Sequence, residues 1–210
     1  MLATRKRLRA RRRPVPIRKD VGQLLPVILA CISLLGILLG SVWEACARYS
    51  QNEYANYFVL QYLERYDYVS FAPLFKALIW PALLPLLFLI YNSFSCIGSP
   101  FIFFVPLLKG FSIGSISGYL YSTHGLHGMA AVLILFFLPQ ILQLWAIIFL
   151  SENAANASFG LLLTHFSGQI LDEKFRLGCA LRAFGQSMLL TVVSCLIESA
   201  LSIVFAPILL

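Results

Sequence analysis

Residues 101–121, FIFFVPLLKGFSIGSISGYLY, constrain this chain more than any other stretch. The run is long and apolar enough to cross a bilayer, since a helix needs about 20 apolar residues to span the hydrocarbon. Gly110, Gly114 and Gly118 recur every fourth residue, so all three share one helix face. Ser115 borders that face; Ser112 and Ser117 lie off it. Such a small-residue stripe lets a second backbone come close, which is how helices associate where lipid supplies no hydrophobic drive. The stripe suits a helix of the same chain or a partner subunit, and packing within the chain is the simpler expectation. Lys109 stands directly before the stripe, near mid-span. A charge there is costly unless it snorkels, pairs or meets water. Pro106 removes one backbone donor just upstream, which predicts a kink near 102–106.

Composition sets the class. The chain has 210 residues, 60% of them hydrophobic and 12% charged, with a mean hydropathy of +0.83. A water-soluble domain of that composition would lack polar cover, so the sequence describes an integral membrane protein. The formal net charge is +7, but nine of the 16 Lys and Arg fall within the first 19 residues. Basicity therefore marks an arm, residues 1–20, rather than a nucleic-acid-binding fold. Pro14 and Pro16 argue against a continuous helix through it. By the positive-inside rule it is expected in the cytoplasm, against anionic head groups. Residues 21–210 then form a single membrane domain. Its five cysteines, Cys31, Cys46, Cys96, Cys179 and Cys195, include no CxxC pair and no metal-ligand grouping with His.

The first expected span is 21–42, where Gly36 and Gly40 form a GxxxG face of their own. Residues 44–73 are the main polar segment outside the arm. Tyr54, Phe58 and Tyr62 share a helix face there, with Tyr57 beside it. The segment reads as an extracytoplasmic amphipathic helix at the membrane–water boundary, the level Tyr prefers. The same aromatic residues are a candidate partner surface. The second span, 74–91, contains Pro81 and Pro85, and a turn at 92–100 leads to the span already described. A second turn at 122–128 holds His124 and His127, which without a nearby carboxylate or Cys read as an ordinary polar turn.

The fourth span is expected at 129–150. Pro139 kinks it, and Gln140 and Gln143 follow at mid-depth, where amides should hydrogen-bond a neighbouring helix. Residues 151–171 are small and polar before a brief apolar run; 154–170 suggest a re-entrant or surface helix. Residues 172–182, with Lys174, Arg176 and Arg182, suggest a cytoplasmic loop. The last span is expected at 184–205 and carries Glu198, a membrane carboxylate that needs a partner or a proton. Lys109 is the candidate partner. The fold expected is thus all-α and polytopic: a bundle of about five transmembrane helices, with a possible re-entrant or short sixth helix.

The order of these pieces resembles the stage II sporulation protein M family over most of residues 20–210. The resemblance rests on the small-residue face of Gly36 and Gly40, and on LLKGFSIG at 107–114, similar to a basic-Gly-Phe-x-x-Gly core. It rests also on GLHG at 125–128, where the family has a Gly-x-x-Gly connection, and on Pro139-Gln140, its Pro-Gln step. Wider relatives often carry His and Glu where this chain has Gln140 and Gln143, a departure that weakens a proton- or metal-handling role. The resemblance implies a bacterial cell-membrane scaffold for engulfment during sporulation. It implies as partners the sporulation peptidoglycan hydrolases, proteins P and D.

Other function classes are less well supplied. There is no HExxH, no GxSxG and no paired Asp in the spans, so no catalytic residue is expected. Nothing calls for a cofactor, and no nucleotide-binding loop is present. A transporter or ABC-type permease subunit is the alternative, because broken helices, glycines and charges at depth also build solute pathways. No inverted repeat supports it.

Overall fold

The structure is a computed structural model that describes residues 19–49, 59, 64, 70–95, 98–167 and 173–209. Among the described residues, five helices are long and apolar enough to cross a membrane. They are α1 (Lys19–Tyr49), α2 (Phe71–Ser93), α3 (Ser99–Ala131), α4 (Leu138–Ser167) and α5 (Glu173–Leu209), with a π-helical segment at Val132–Phe137 leading into α4. The basic arm up to residue 18 lies outside the described residues, as do Tyr54, Tyr57, Phe58 and Tyr62. Large apolar side chains are exposed along all five helices, Leu38, Trp80, Leu108, Trp145 and Leu189 among them. In a membrane these face acyl chains, so their exposure carries no penalty.

The fold is built around α1 packed on α3, the most extensive helix pair in the molecule. The two run parallel, with Ser33, Ile37 and Ser41 facing Gly110, Gly114 and Gly118 in turn. A Cβ on Gly114 would collide with the Ile37 carbonyl, and one on Gly110 with the Ser33 carbonyl. The relation is reciprocal: a Cβ on Gly36 would strike Leu107, and one on Gly40 would strike Phe111 and lie 2.9 Å from the Ser115 amide nitrogen. Both glycine faces are therefore spent on each other inside one chain. Gly118 is looser, with its nearest neighbour, Glu44 Cβ, 3.2 Å from an added methyl. Trp43 and Phe111 close the edge of the seam with ring centroids 6.4 Å apart.

Among the described residues the core forms three apolar clusters, two larger ones and a small one that joins Leu74 and Leu78 of α2 to Cys195 of α5. The first of the larger clusters joins Leu25 and Leu29 of α1 to Leu86 and Leu89 of α2, Ile102 and Val105 of α3, Ile147 and Leu150 of α4, and Ala183 of α5. The second of the larger clusters joins Val59 to Ile116 and Leu120 of α3 and to Leu135 and Phe136 of the π segment. Val59 is almost wholly buried in that cluster. At this residue the 44–73 segment packs into the bundle, rather than lying only along its surface. Glu64 is exposed.

Three local departures from the expected layout have physical causes. The turn at 122–128 is a break at Gly125 (φ 57, ψ −127), a left-handed conformation that glycine adopts without steric cost. The chain doubles back there: Gly128 packs on Leu120 closely enough that any side chain would strike its carbonyl. Residues 154–167 form neither a re-entrant nor a separate helix. They continue α4, because Ala154, Ala155, Ala157 and Ser158 are buried against neighbouring helices rather than left to face lipid. Ser158 ties that end of α4 to the α2–α3 turn, donating to the Ser95 carbonyl at 2.7 Å and lying 3.1 Å from Ser99 Oγ. Residues 173–182, expected as a loop, are the first turns of α5. Glu, Lys, Arg, Leu and Ala there are all good helix formers.

The glycines differ sharply in what surrounds them, which gives a direct test. Gly185 has nothing within 4 Å of an added Cβ. Gly185→Ala should leave stability unchanged or raise it by up to about 1 kcal/mol through helix propensity. Gly114→Ala should cost about 1–3 kcal/mol by overpacking the seam, and Gly114→Leu should prevent the bundle from forming. Denaturant unfolding of the purified protein in detergent, with gel filtration for the leucine variant, measures all three.

Candidate functional site

Between the two larger apolar clusters, at the middle of the bundle, lies a cluster of polar side chains. On α3, Lys109 falls between Val105 of one apolar cluster and Ile116 of the other. On α4, Gln140 and Gln143 fall between the Leu135–Phe136 pair and Ile147. On α5, Glu198 falls between Ala183 and Leu201, which packs on the second cluster. Helical periodicity turns all four inward, and they meet.

The contacts form a chain. Lys109 Nζ donates to Gln143 Oε1 at 2.7 Å. Gln143 Nε2 donates to Glu198 Oε2 at 3.2 Å, and Gln140 Nε2 donates to Glu198 Oε1 at 3.4 Å. Cys195 Sγ lies 3.8 Å from the same Gln143 nitrogen. Gln143 thus bridges Lys109 and Glu198, its carbonyl accepting a hydrogen bond from the lysine and its amide donating one to the glutamate. Glu198 is fully enclosed (0% exposed), and the two glutamines are buried; Lys109 is half-buried. In a medium of low dielectric constant such a network holds only if each member is partnered, because an isolated buried charge is expensive.

The π-helical segment explains how α4 presents the glutamines. Pro139 has no N–H for the Leu135 carbonyl, and its ring crowds that carbonyl. The helix widens to i→i+5 spacing over Val132–Phe137, just before the proline. The second free lone pair of the Pro139 carbonyl is used across the helix pair, where Ser194 Oγ donates at 2.6 Å.

Ser194 belongs to a stripe that sequence reasoning passed over. Ser187, Thr191, Ser194, Glu198 and Ser202 recur at helical spacing on α5, and all are buried. Ser187 donates to the Ala146 carbonyl of α4 at 3.0 Å, which makes the α4–α5 contact a hydroxyl-to-carbonyl seam. The signal was available in the spacing, but each serine alone looks innocuous in a membrane helix. A second omission is Glu44, only 1% exposed, whose Oε2 has no hydrogen-bond partner among the described residues. It lies one turn beyond Gly40 on the face that meets α3, so the glycine spacing of α1 already pointed to it.

The polar cluster forms part of the wall of a cavity of about 610 Å³ between α2, α3 and α4. Pro81, Pro85 and Phe88 line it from α2, Phe101, Phe104, Leu108 and Ser112 from α3, and Gln140, Gln143 and Ile147 from α4. No group of three or more His, Cys, Asp or Glu residues is placed to hold a metal among the described residues. His124 and His127 are exposed at the Gly125 break.

If Gln143 transmits the interaction between Lys109 and Glu198, the two should be energetically coupled. Lys109→Ala and Glu198→Ala should each destabilise the protein, and the double variant should lose less than the sum by about 0.5–3 kcal/mol. Gln143→Leu should lower that coupling. A double-mutant cycle read by denaturant unfolding in detergent measures it; additive losses would contradict the bridge.

A family model described as Stage II sporulation protein M matches residues 27–203, most of the chain. No match was found among curated proteins or solved structures. The matched region takes in the α1–α3 seam, the Gly125 break, the Pro139 step and Glu198. The chain is a multi-pass, sporulation-related membrane protein and belongs to the stage II sporulation protein M family.

Proposed function

We propose that the protein is a non-enzymatic membrane scaffold of the engulfment machinery in an endospore-forming bacterium, anchoring and localising peptidoglycan hydrolases, proteins P and D. The observation that carries this reading is the family match across residues 27–203. Two features of the molecule support it. The polar side chains at depth are engaged with one another, Lys109 with Gln143 and Gln143 with Glu198. The bundle also exposes long apolar helix faces on which other membrane segments can lie. The nine positive charges of the basic arm put the N-terminus in the cytoplasm on this reading, in contact with anionic lipid.

A permease subunit is the second reading, favoured by the cavity and by Lys109 and Glu198 beside it. The two differ in what deletion does. Loss of a scaffold should arrest engulfment and leave the hydrolases spread through the membrane, and affinity capture from sporulating membranes should recover them with the full-length protein. Normal engulfment in the deletion strain, with no wall hydrolase recovered from the wild type, would reject the scaffold.

A further inference from the structure

The cavity between α2, α3 and α4 has a composition that ordinary lipid does not explain. Its rim is apolar and faces outward: Leu84, Phe104 and Leu108 are all about half exposed or more, at 57%, 50% and 48%. It therefore opens sideways into the bilayer. Its inner end carries four polar side chains among a mostly apolar lining: half-buried Lys109, Gln140, Gln143 and, from α5, Glu198.

Depth decides what can fill such a groove. The polar wall lies between the two larger apolar clusters, at mid-bundle. Lipid head groups stay at the interface, about 15 Å from the bilayer centre, so a lipid offers this wall only methylenes. A polar group reaches the centre of a bilayer on a transmembrane helix, where its own backbone is already satisfied. The wall supplies both donors and acceptors, which a carboxamide complements because it is both.

We propose that this groove receives a transmembrane helix of a partner protein, one that brings an Asn or Gln side chain to the level of Lys109 and Gln143. The apolar rim takes the flanking residues of that helix, and the polar wall sets its depth and register. This names the surface by which a scaffold would hold its partner, and so rests on the scaffold reading.

The test uses the full-length protein in phosphatidylcholine bilayers. The probe is a dye-labelled leucine–alanine transmembrane peptide with one Asn at its centre, compared with the same peptide carrying Leu there. Energy transfer to labelled protein at high dilution in lipid reports binding. The Asn peptide should bind about fivefold or more tightly than the Leu peptide. That preference should vanish in Ser112→Phe, which fills the groove, and in Lys109→Met, which keeps the stem and removes the ammonium. Equal binding of the two peptides to the wild type, or a preference that survives Ser112→Phe, would overturn the proposal. So would a spin-labelled lipid held in place by the wild type and displaced by Ser112→Phe but not by the Asn peptide, since the groove would then be a lipid site. The wild-type comparison stands even if a variant fails to fold. Failure of hydrolase capture by the wild type would count against the scaffold alone; capture that Ser112→Phe leaves intact would count against the groove alone.

Discussion

Close backbone contact between α1 and α3 is the interaction on which the rest of the structure depends. Water cannot drive helices together inside a bilayer, so an interface there must win through packing and short-range polar contacts. Here two glycine faces on parallel helices interlock, each helix's carbonyls occupying the space a side chain would need on the other. Ser115 adds a contact across the same seam, its hydroxyl 3.4 Å from the Gly40 carbonyl. With α1 and α3 fixed in register, Lys109 is held at one depth, and the helices that meet it must present matching groups there.

The α4–α5 pair uses a different chemistry for the same problem. Its contact uses the Ser187 and Ser194 hydroxyls, which donate to the Ala146 and Pro139 carbonyls of the opposite helix. The two seams meet at the Lys109–Gln143–Glu198 chain. Glycines join one seam and hydroxyls the other, and a lipid-facing groove lies between α2, α3 and α4.

Much of this was legible in the residues, for identifiable reasons. Five spans could be counted because each is a long apolar run bounded by polar or turn residues, and the structure has five such helices. The glycine repeats named the faces of α1 and α3, but spacing alone does not say whether a face meets its own chain; only the matching offset of Gly36 and Gly40 against Gly110 and Gly114 does. Glu198 and Lys109 stood out as charges at depth, yet no pattern in one sequence shows that Gln143 would stand between them. The extent of α4 was missed because Ala154, Ala155 and Ser158 are too small to register as a span by hydropathy, and are buried for that same smallness. The hydroxyl stripe of α5 went unseen because serine is tolerated in lipid when it bonds its own helix, as Ser199 and Ser202 do.

The account stands on α1 and α3 meeting within one molecule. An ideal Cβ at Gly118 lies 3.4 Å from Ser41 Cα, which brings the two Cα atoms to within about 5 Å of each other, inside the roughly 4.4–6.8 Å that disulfides span. Oxidation of membranes containing Ser41→Cys/Gly118→Cys, with the native cysteines replaced, is the most direct measurement. The account predicts a rapid bond inside the monomer, absent when Ser112→Cys replaces Gly118→Cys. A disulfide-linked dimer, or no bond at all in a folded protein, would contradict it.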